Sequence, residues 1–228
     1  MHLKTAVPKS FPAKTFMKTH IPAILAGICI GLGGTVYLSV ESSVVGALLF
    51  SIGLLTILAF GFNLFTGKVS YALDNPPSYI GTLAIIWLGN FIGTGLMALL
   101  VRLTRVGDAL AAKADTLSAQ KLADNPISIL LLAIGCGMCM YIAVHQYKKQ
   151  ESMLRCLFVV FPVMVFILCK FEHVIANMFY FALAGSYLSD TVTTFLYLIV
   201  MTAGNSIGGL LLPAAEKLGA KFDTPNQN

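Results

Sequence analysis

The run from Cys156 to Ser189 is apolar except at Lys170-Phe171-Glu172-His173, its only Lys, Arg, Asp, Glu or His residues. Ionisable groups inside such a run cost a few kcal/mol or more at membrane depth and face either a partner or a pathway. Lys170 and Glu172 read first as a mutually neutralising pair that pins neighbouring backbone. His173 offers different chemistry. A neutral imidazole donates one hydrogen bond and accepts another, so it can hold an anion or a neutral acid without adding a permanent charge. Asn177 lies one turn further on, and Thr66 places a hydroxyl within Gly61-Phe62-Asn63-Leu64-Phe65-Thr66-Gly67-Lys68. A hydroxyl and an imidazole form a modest donor set, suited to a solute of few atoms.

The elements that position these residues are membrane helices. The 228 residues are 57% hydrophobic and 11% charged, with a mean hydropathy of +0.82, against roughly a quarter charged in soluble chains. A crossing helix needs about 20 mostly apolar residues. Six stretches qualify, over 21–40, 44–67, 79–101, 126–146, 156–184 and 191–213. The reading is one all-α membrane domain over 21–213. A basic segment over 1–20, with Phe11, Phe16 and Met17 between Lys14 and Lys18, suits the interface, and a tail covers 214–228. Val40-Glu41-Ser42-Ser43 offers no small-x-small cleavage site, so the first stretch reads as a span rather than a signal peptide. The five cysteines lie within or at the edges of spans and give no disulfide framework.

The chain also echoes itself. Asn63-Leu64-Phe65 is followed by Gly89-Asn90-Phe91-Ile92-Gly93, as Asn177-Met178-Phe179 is followed by Gly204-Asn205-Ser206-Ile207-Gly208, with 114 positions between Asn63 and Asn177. Three spans per half place the second half upside down, the plan of inverted-repeat transporters and channels. Spans 2 and 5 carry the interruptions. Irregular backbone at membrane depth survives only where it is buried in protein or lines a cavity, so two such breaks point to a central pathway. Gly27/Gly31, Gly89/Gly93 and Gly204/Gly208 are small-residue pairs that bring helices together.

The formal charge of +5 follows membrane topology rather than nucleic-acid affinity. Lys4, Lys9, Lys14, Lys18, Lys68, Lys148, Lys149, Arg155, Lys217 and Lys221 fall on one side, and Arg102, Arg105, Lys113 and Lys121 share one loop on the other. Both termini are therefore expected in the cytoplasm, with the chain multi-pass in the plasma (inner) membrane.

Phe171-Glu172-His173-Val174-Ile175-Ala176-Asn177-Met178, with Leu64-Phe65-Thr66-Gly67-Lys68-Val69 and Gly204-Asn205-Ser206-Ile207-Gly208-Gly209, resembles the formate/nitrite transporter family over essentially the whole chain. The resemblance implies an aquaporin-like fold of two inverted three-helix repeats with helices 2 and 5 broken. It also implies a homopentamer with one pore per subunit, and passage of hydrosulfide, formate or nitrite without a cofactor. Thr66, His173 and Asn177 resemble pathway residues, and Phe50, Leu54, Leu64 and Phe166 resemble apolar constrictions. Lys121 resembles a vestibule lysine that attracts anions, although the sequence alone makes it a solvated loop lysine. Where many members carry Asn in helix 4, this chain reads Gly137, a pattern closer to the hydrosulfide channels. Hydrosulfide is thus the first-choice anion.

Three rivals stand beside the channel. Proton-coupled secondary transport of formate or nitrite would be saturable and slower. A neutral-solute aquaporin lacks its Asn-Pro-Ala triplets and an intramembrane Arg. A membrane metalloenzyme would draw on Glu172, His145, His173 and Cys136-x-x-Cys139, but that close pair sits in an apolar helix where packing is the simpler role. No Walker loop, GxGxxG or triad is present.

Overall fold

The computed structural model describes residues 13–222, and every regular element among them is helical. In chain order these are α1 (Ala13–Ser39), α2 (Ser43–Phe60), α3 (Phe65–Lys68), α4 (Tyr79–Arg102), α5 (Gly107–Leu122), α6 (Pro126–Lys149), α7 (Leu154–Leu168), α8 (Val174–Ala184), α9 (Ser186–Ser189) and α10 (Thr191–Phe222). A 3-10 turn over Val69–Asp74 follows α3. Helices α1, α2, α4, α6 and α10 are long and apolar enough to cross a membrane, whereas α7 and α8 are apolar but shorter.

Local chemistry sets the boundaries. Ser42 opens α2 by accepting the Val45 N–H, and Asn125 opens α6 by accepting the Ser128 N–H at 2.8 Å, with Pro126 in the first turn. Helices α2 and α7 stop in the same way. Gly61 (φ 71°) and Lys170 (φ 57°) turn left-handed. The next residue then reaches back five positions, Phe62 N–H to Ile57 carbonyl at 2.9 Å and Phe171 N–H to Phe166 carbonyl at 2.8 Å. This closure satisfies carbonyls that a helix end would otherwise orphan.

The long helices pack in matching pairs, α1 on α4 and α6 on α10, with α2 meeting α7. A Cβ on Gly27 would run into the Asn90 carbonyl, and one on Gly137 into the Asn205 carbonyl, so glycine is what lets each pair close. Large apolar side chains such as Leu48, Ile52, Leu96 and Leu99 stay exposed on the outer surface, as a lipid- or subunit-facing surface requires.

Several sequence expectations change. The first span begins at Ala13 rather than residue 21, so the described part of the 1–20 segment is the opening of α1; Phe11 lies outside the described residues. The last helix runs to Phe222, which makes the described part of the 214–228 tail helical. The interruptions expected in spans 2 and 5 are no change and fall at residues 61–64 and 169–173. The loop expected between spans 3 and 4 contains α5. Its buried stripe of Leu110, Ala111, Ala114 and Ser118 is mostly small residues, so no bulky apolar period announces it. The equivalence of Asn63 with Asn177 fails as well. The two helix breaks correspond residue for residue as Gly61 with Lys170 and Phe62 with Phe171, a shorter offset.

Candidate functional site

Two buried asparagines hold the breaks open. The Asn90 side chain on α4 accepts the Phe65 N–H (2.8 Å) and donates to the carbonyls of Ala23 (2.8 Å) and Asn63 (2.9 Å). On α10, Asn205 accepts the Val174 N–H (2.9 Å) and donates to the carbonyls of Ala133 (2.8 Å) and Glu172 (2.7 Å). Each amide satisfies one N–H and one carbonyl that the break removes from helical pairing, groups that would be costly to bury alone. Each also ties the break to the neighbouring helix through the Ala23 or Ala133 carbonyl. The sequence carried this signal in its two Gly-Asn echoes, but the site reading passed over both residues.

The second halves of the broken helices bring Thr66 and His173 together. His173 is the N-cap of α8, and its Nδ1 accepts the Ala176 N–H at 3.1 Å. A backbone N–H can only donate, so Nδ1 carries no proton and the neutral ring holds its proton on Nε2. Nε2 therefore donates to Thr66 Oγ1, 2.9 Å away. That bond occupies the Thr66 oxygen and leaves its hydroxyl hydrogen free. Both residues are buried, at 0% and 2% exposure.

A second chain of bonds lies beside this pair. Lys121 Nζ contacts Glu172 Oε2 at 2.6 Å, with side-chain exposures of 13% and 4%. The same oxygen accepts from Asn177 Nδ2 at 2.7 Å, and Nδ2 also donates to the His173 carbonyl at 3.1 Å. These acceptors fix the amide's orientation. Asn177 Oδ1 is then a buried acceptor without a partner among the described residues. The expected Lys170–Glu172 pairing does not form. Lys170 points outward at the left-handed turn, and α5 supplies the partner through Lys121, which is neither in a loop nor freely solvated.

Two cavities approach this centre from opposite ends of the bundle. On the α5 side, a cavity of about 210 Å³ is lined by Phe50, Lys121, Phe166, Lys170, His173 and Asn177 among others. At the other end, where α2 and α6 finish and α7 begins, a cavity of about 390 Å³ reaches Leu54, Leu64 and Gly67. Buried apolar groups close the space between. The Phe166 ring stacks on His173 with centroids 5.5 Å apart, and Phe50 meets Phe166 edge-on at 6.0 Å. Of the eight residues singled out from the sequence, Thr66, His173, Asn177, Phe50 and Phe166 cluster here with Lys121 at the rim, while Leu54 and Leu64 face the opposite cavity.

Gly137 does not stand in for a lost pathway amide. It faces the Asn205 backbone at the α6–α10 crossing, which removes the ground on which hydrosulfide ranked first. His145 stacks on Tyr141 at 5.0 Å, and no group of three His, Cys, Asp or Glu among the described residues is placed to hold a metal ion.

Comparison with known proteins gives a consistent picture. The profile of the family described as formate/nitrite transporter matches residues 5–216. The formate channel FocA of Escherichia coli (strain K12) is 30% identical over 240 aligned positions, covering 86% of this chain and 84% of that protein. The uncharacterized transporter YrhG of Bacillus subtilis (strain 168) is 31% identical over 188 positions, covering 74% and 68%. Among solved structures, a pentameric formate channel with formate bound superposes with a TM-score of 0.80 at 23% identity, covering 93% of this chain and all of that one. A formate/nitrite-family ion channel superposes at 0.79, also at 23% identity, covering 93% and 92%. At that identity the superpositions speak to fold.

Proposed function

The chain belongs to the formate/nitrite transporter family, and from that premise we propose that it is a membrane channel for small monovalent weak-acid anions, formate first, crossing as the neutral acid. The observation that carries the reading is the buried centre between the two cavities. It offers one free donor, the Thr66 hydroxyl hydrogen, and one free acceptor, Asn177 Oδ1, walled by phenyl and leucine side chains. An anion leaving water for such surroundings binds a proton more readily, because desolvation disfavours charge. The neutral acid that results both accepts and donates, as the two free groups require. Nitrite and hydrosulfide are weak-acid anions of similar size and belong to the same class.

In this reading His173 orients rather than shuttles. Both ring nitrogens are already committed, to the Ala176 N–H and to Thr66. Lys121, neutralised by Glu172, holds the carboxylate that aligns Asn177 and lends little long-range attraction. Phe50 and Phe166 form the dry gate on the α5 side, and Leu54 and Leu64 the gate on the other.

The wider architecture belongs to the same proposal. Six crossings in two inverted repeats follow if α7 and α8 together make the broken fifth, a reading supported by the matched Asn90 and Asn205 clamps. A homopentamer, with its pores inside the subunits, fits the apolar outer surface and the pentameric relative. Cytoplasmic termini in a cell membrane fit the distribution of lysine and arginine.

Stopped-flow swelling of proteoliposomes in iso-osmotic formate, nitrite, hydrosulfide and glycerol tests the reading. Fast uptake of the acids with glycerol excluded is expected. Glycerol uptake, or no uptake of any solute, would refute it.

A further inference from the structure

The cavity at the end of the bundle opposite α5 is unlike its counterpart in charge. Lys68, Lys148 and Arg155 all line it, and among the described residues none of the three makes an ion pair. The acid in its wall, Glu151, pairs with none of them. Two of the cations rest on aromatic rings instead. Lys148 Nζ lies 4.0 Å from the Tyr71 ring centroid, and the Arg155 guanidinium lies 5.1 Å from that of Tyr147. Ring contact of this kind holds a cation in place while leaving its N–H groups free. The α5-side cavity, by contrast, carries two lysines against two acids, Lys121 and Lys170 with Asp124 and Glu172, and Lys121 is paired with Glu172. The opposite cavity carries three cations against Glu151 alone. The positive potential of the molecule's two mouths is therefore one-sided.

Size points the same way. At about 390 Å³ the cavity is in the range of small-molecule sites, about 300–1,000 Å³, and a three-atom anion needs far less. Its inner wall, Leu54 and Leu64, is buried and closed. An arginine fork flanked by two lysines is a fitting donor set for the oxygens of a phosphate.

We propose that this cavity binds a small phosphate-bearing anion too large to pass Leu54 and Leu64, which plugs the pathway from that side; the plugging rests on the channel reading above. Both a soluble phosphate compound and an anionic lipid headgroup carry the required chemistry.

The test has a binding arm and two flux arms, all on the full chain. Inorganic pyrophosphate is titrated calorimetrically into detergent-solubilised protein at fixed ionic strength. Saturable binding is expected, weakened about tenfold, or roughly 1.4 kcal/mol, by Arg155→Gln and by Lys148→Gln, whose side chains are exposed in the mouth and take no part in the Leu54 and Leu64 gate. Formate swelling is then read in phosphatidylcholine liposomes with pyrophosphate on both faces, where wild type slows severalfold and Arg155→Gln does not. In liposomes containing phosphatidylglycerol and no pyrophosphate, the same slowing would identify the headgroup as the source. Absence of saturable binding together with unchanged flux in both arms would overturn the site, as would binding that neither substitution weakens. Binding without any formate flux would overturn the channel reading and leave the site standing.

Discussion

Thr66 Oγ1 lies 2.9 Å from His173 Nε2, joining the second halves of two broken helices across 107 positions of sequence. The same imidazole caps α8 through its other nitrogen. One side chain thus sets the start of a helix and the direction in which a threonine hydroxyl points.

That double role separates two substitutions. His173→Ala removes the cap, costing about 1 kcal/mol, and frees Thr66, so both thermal stability and formate flux should fall. His173→Asn keeps an acceptor for the Ala176 N–H but is too short to reach Thr66. It should preserve the melting temperature and slow flux by roughly tenfold, the worth of about 1.4 kcal/mol, while leaving the pH dependence of flux unchanged. Stopped-flow rates across a pH series check this; a pH dependence abolished in His173→Asn would make the ring a proton carrier.

The Lys121–Glu172 pair predicts non-additivity. Removing either partner leaves the other charge poorly compensated near the protein interior, a loss of about 3–5 kcal/mol for a buried pair and less in proportion as Lys121 is reached by solvent. Lys121→Met combined with Glu172→Gln removes both charges. The double variant should therefore be more stable than the sum of the two single losses, as read by thermal unfolding in detergent.

Asn205→Ala should be the more damaging substitution at the break. It strands the Val174 N–H and the carbonyl of Glu172 at the break, at about 1–3 kcal/mol for each group left unpaired, and removes the tie to the Ala133 carbonyl of α6. A marked fall in melting temperature, with loss of formate flux, is expected. A variant as stable as wild type would mean that the clamp is dispensable.

Lys170 predicts the opposite sign. A side chain in the left-handed region costs about 1–2 kcal/mol, partly offset in glycine by the larger entropy lost on folding, about 0.5–1 kcal/mol. Lys170→Gly should thus raise stability by up to about 1.5 kcal/mol, whereas Lys170→Ala should not. Parallel melts of the two variants separate backbone strain from loss of the lysine itself.

Much of this site was legible in the sequence because polar residues in apolar runs are few and each must have a purpose. Thr66, His173 and Asn177 stood out on that ground, and the breaks at Gly61 and around Lys170 announced themselves by composition. Helix α5 did not, since a buried stripe of one leucine among small residues gives little hydropathy signal. Without α5 there was no way to find the partner of Glu172, and the neighbouring Lys170 took its place in the reading. The internal repeat misled by two residues of identical type: Asn63 resembles Asn177 in the sequence, whereas the carbonyl of Asn63 does the work of the carbonyl of Glu172. Backbone equivalences of that sort leave no side-chain trace. Gly137 was equally ambiguous, because a glycine at a helix crossing and a glycine facing a pathway look alike in sequence.

The measurement that bears most directly on the central claim is influx of formate and of chloride into the same proteoliposomes as external pH is lowered from about 7 to about 5, each corrected for protein-free vesicles. Passage as the neutral acid predicts formate influx rising up to roughly tenfold per pH unit above the acid's own pKa, with chloride, which has no neutral form in this range, excluded throughout. Formate influx indifferent to pH, or chloride passing beside it, would contradict the account.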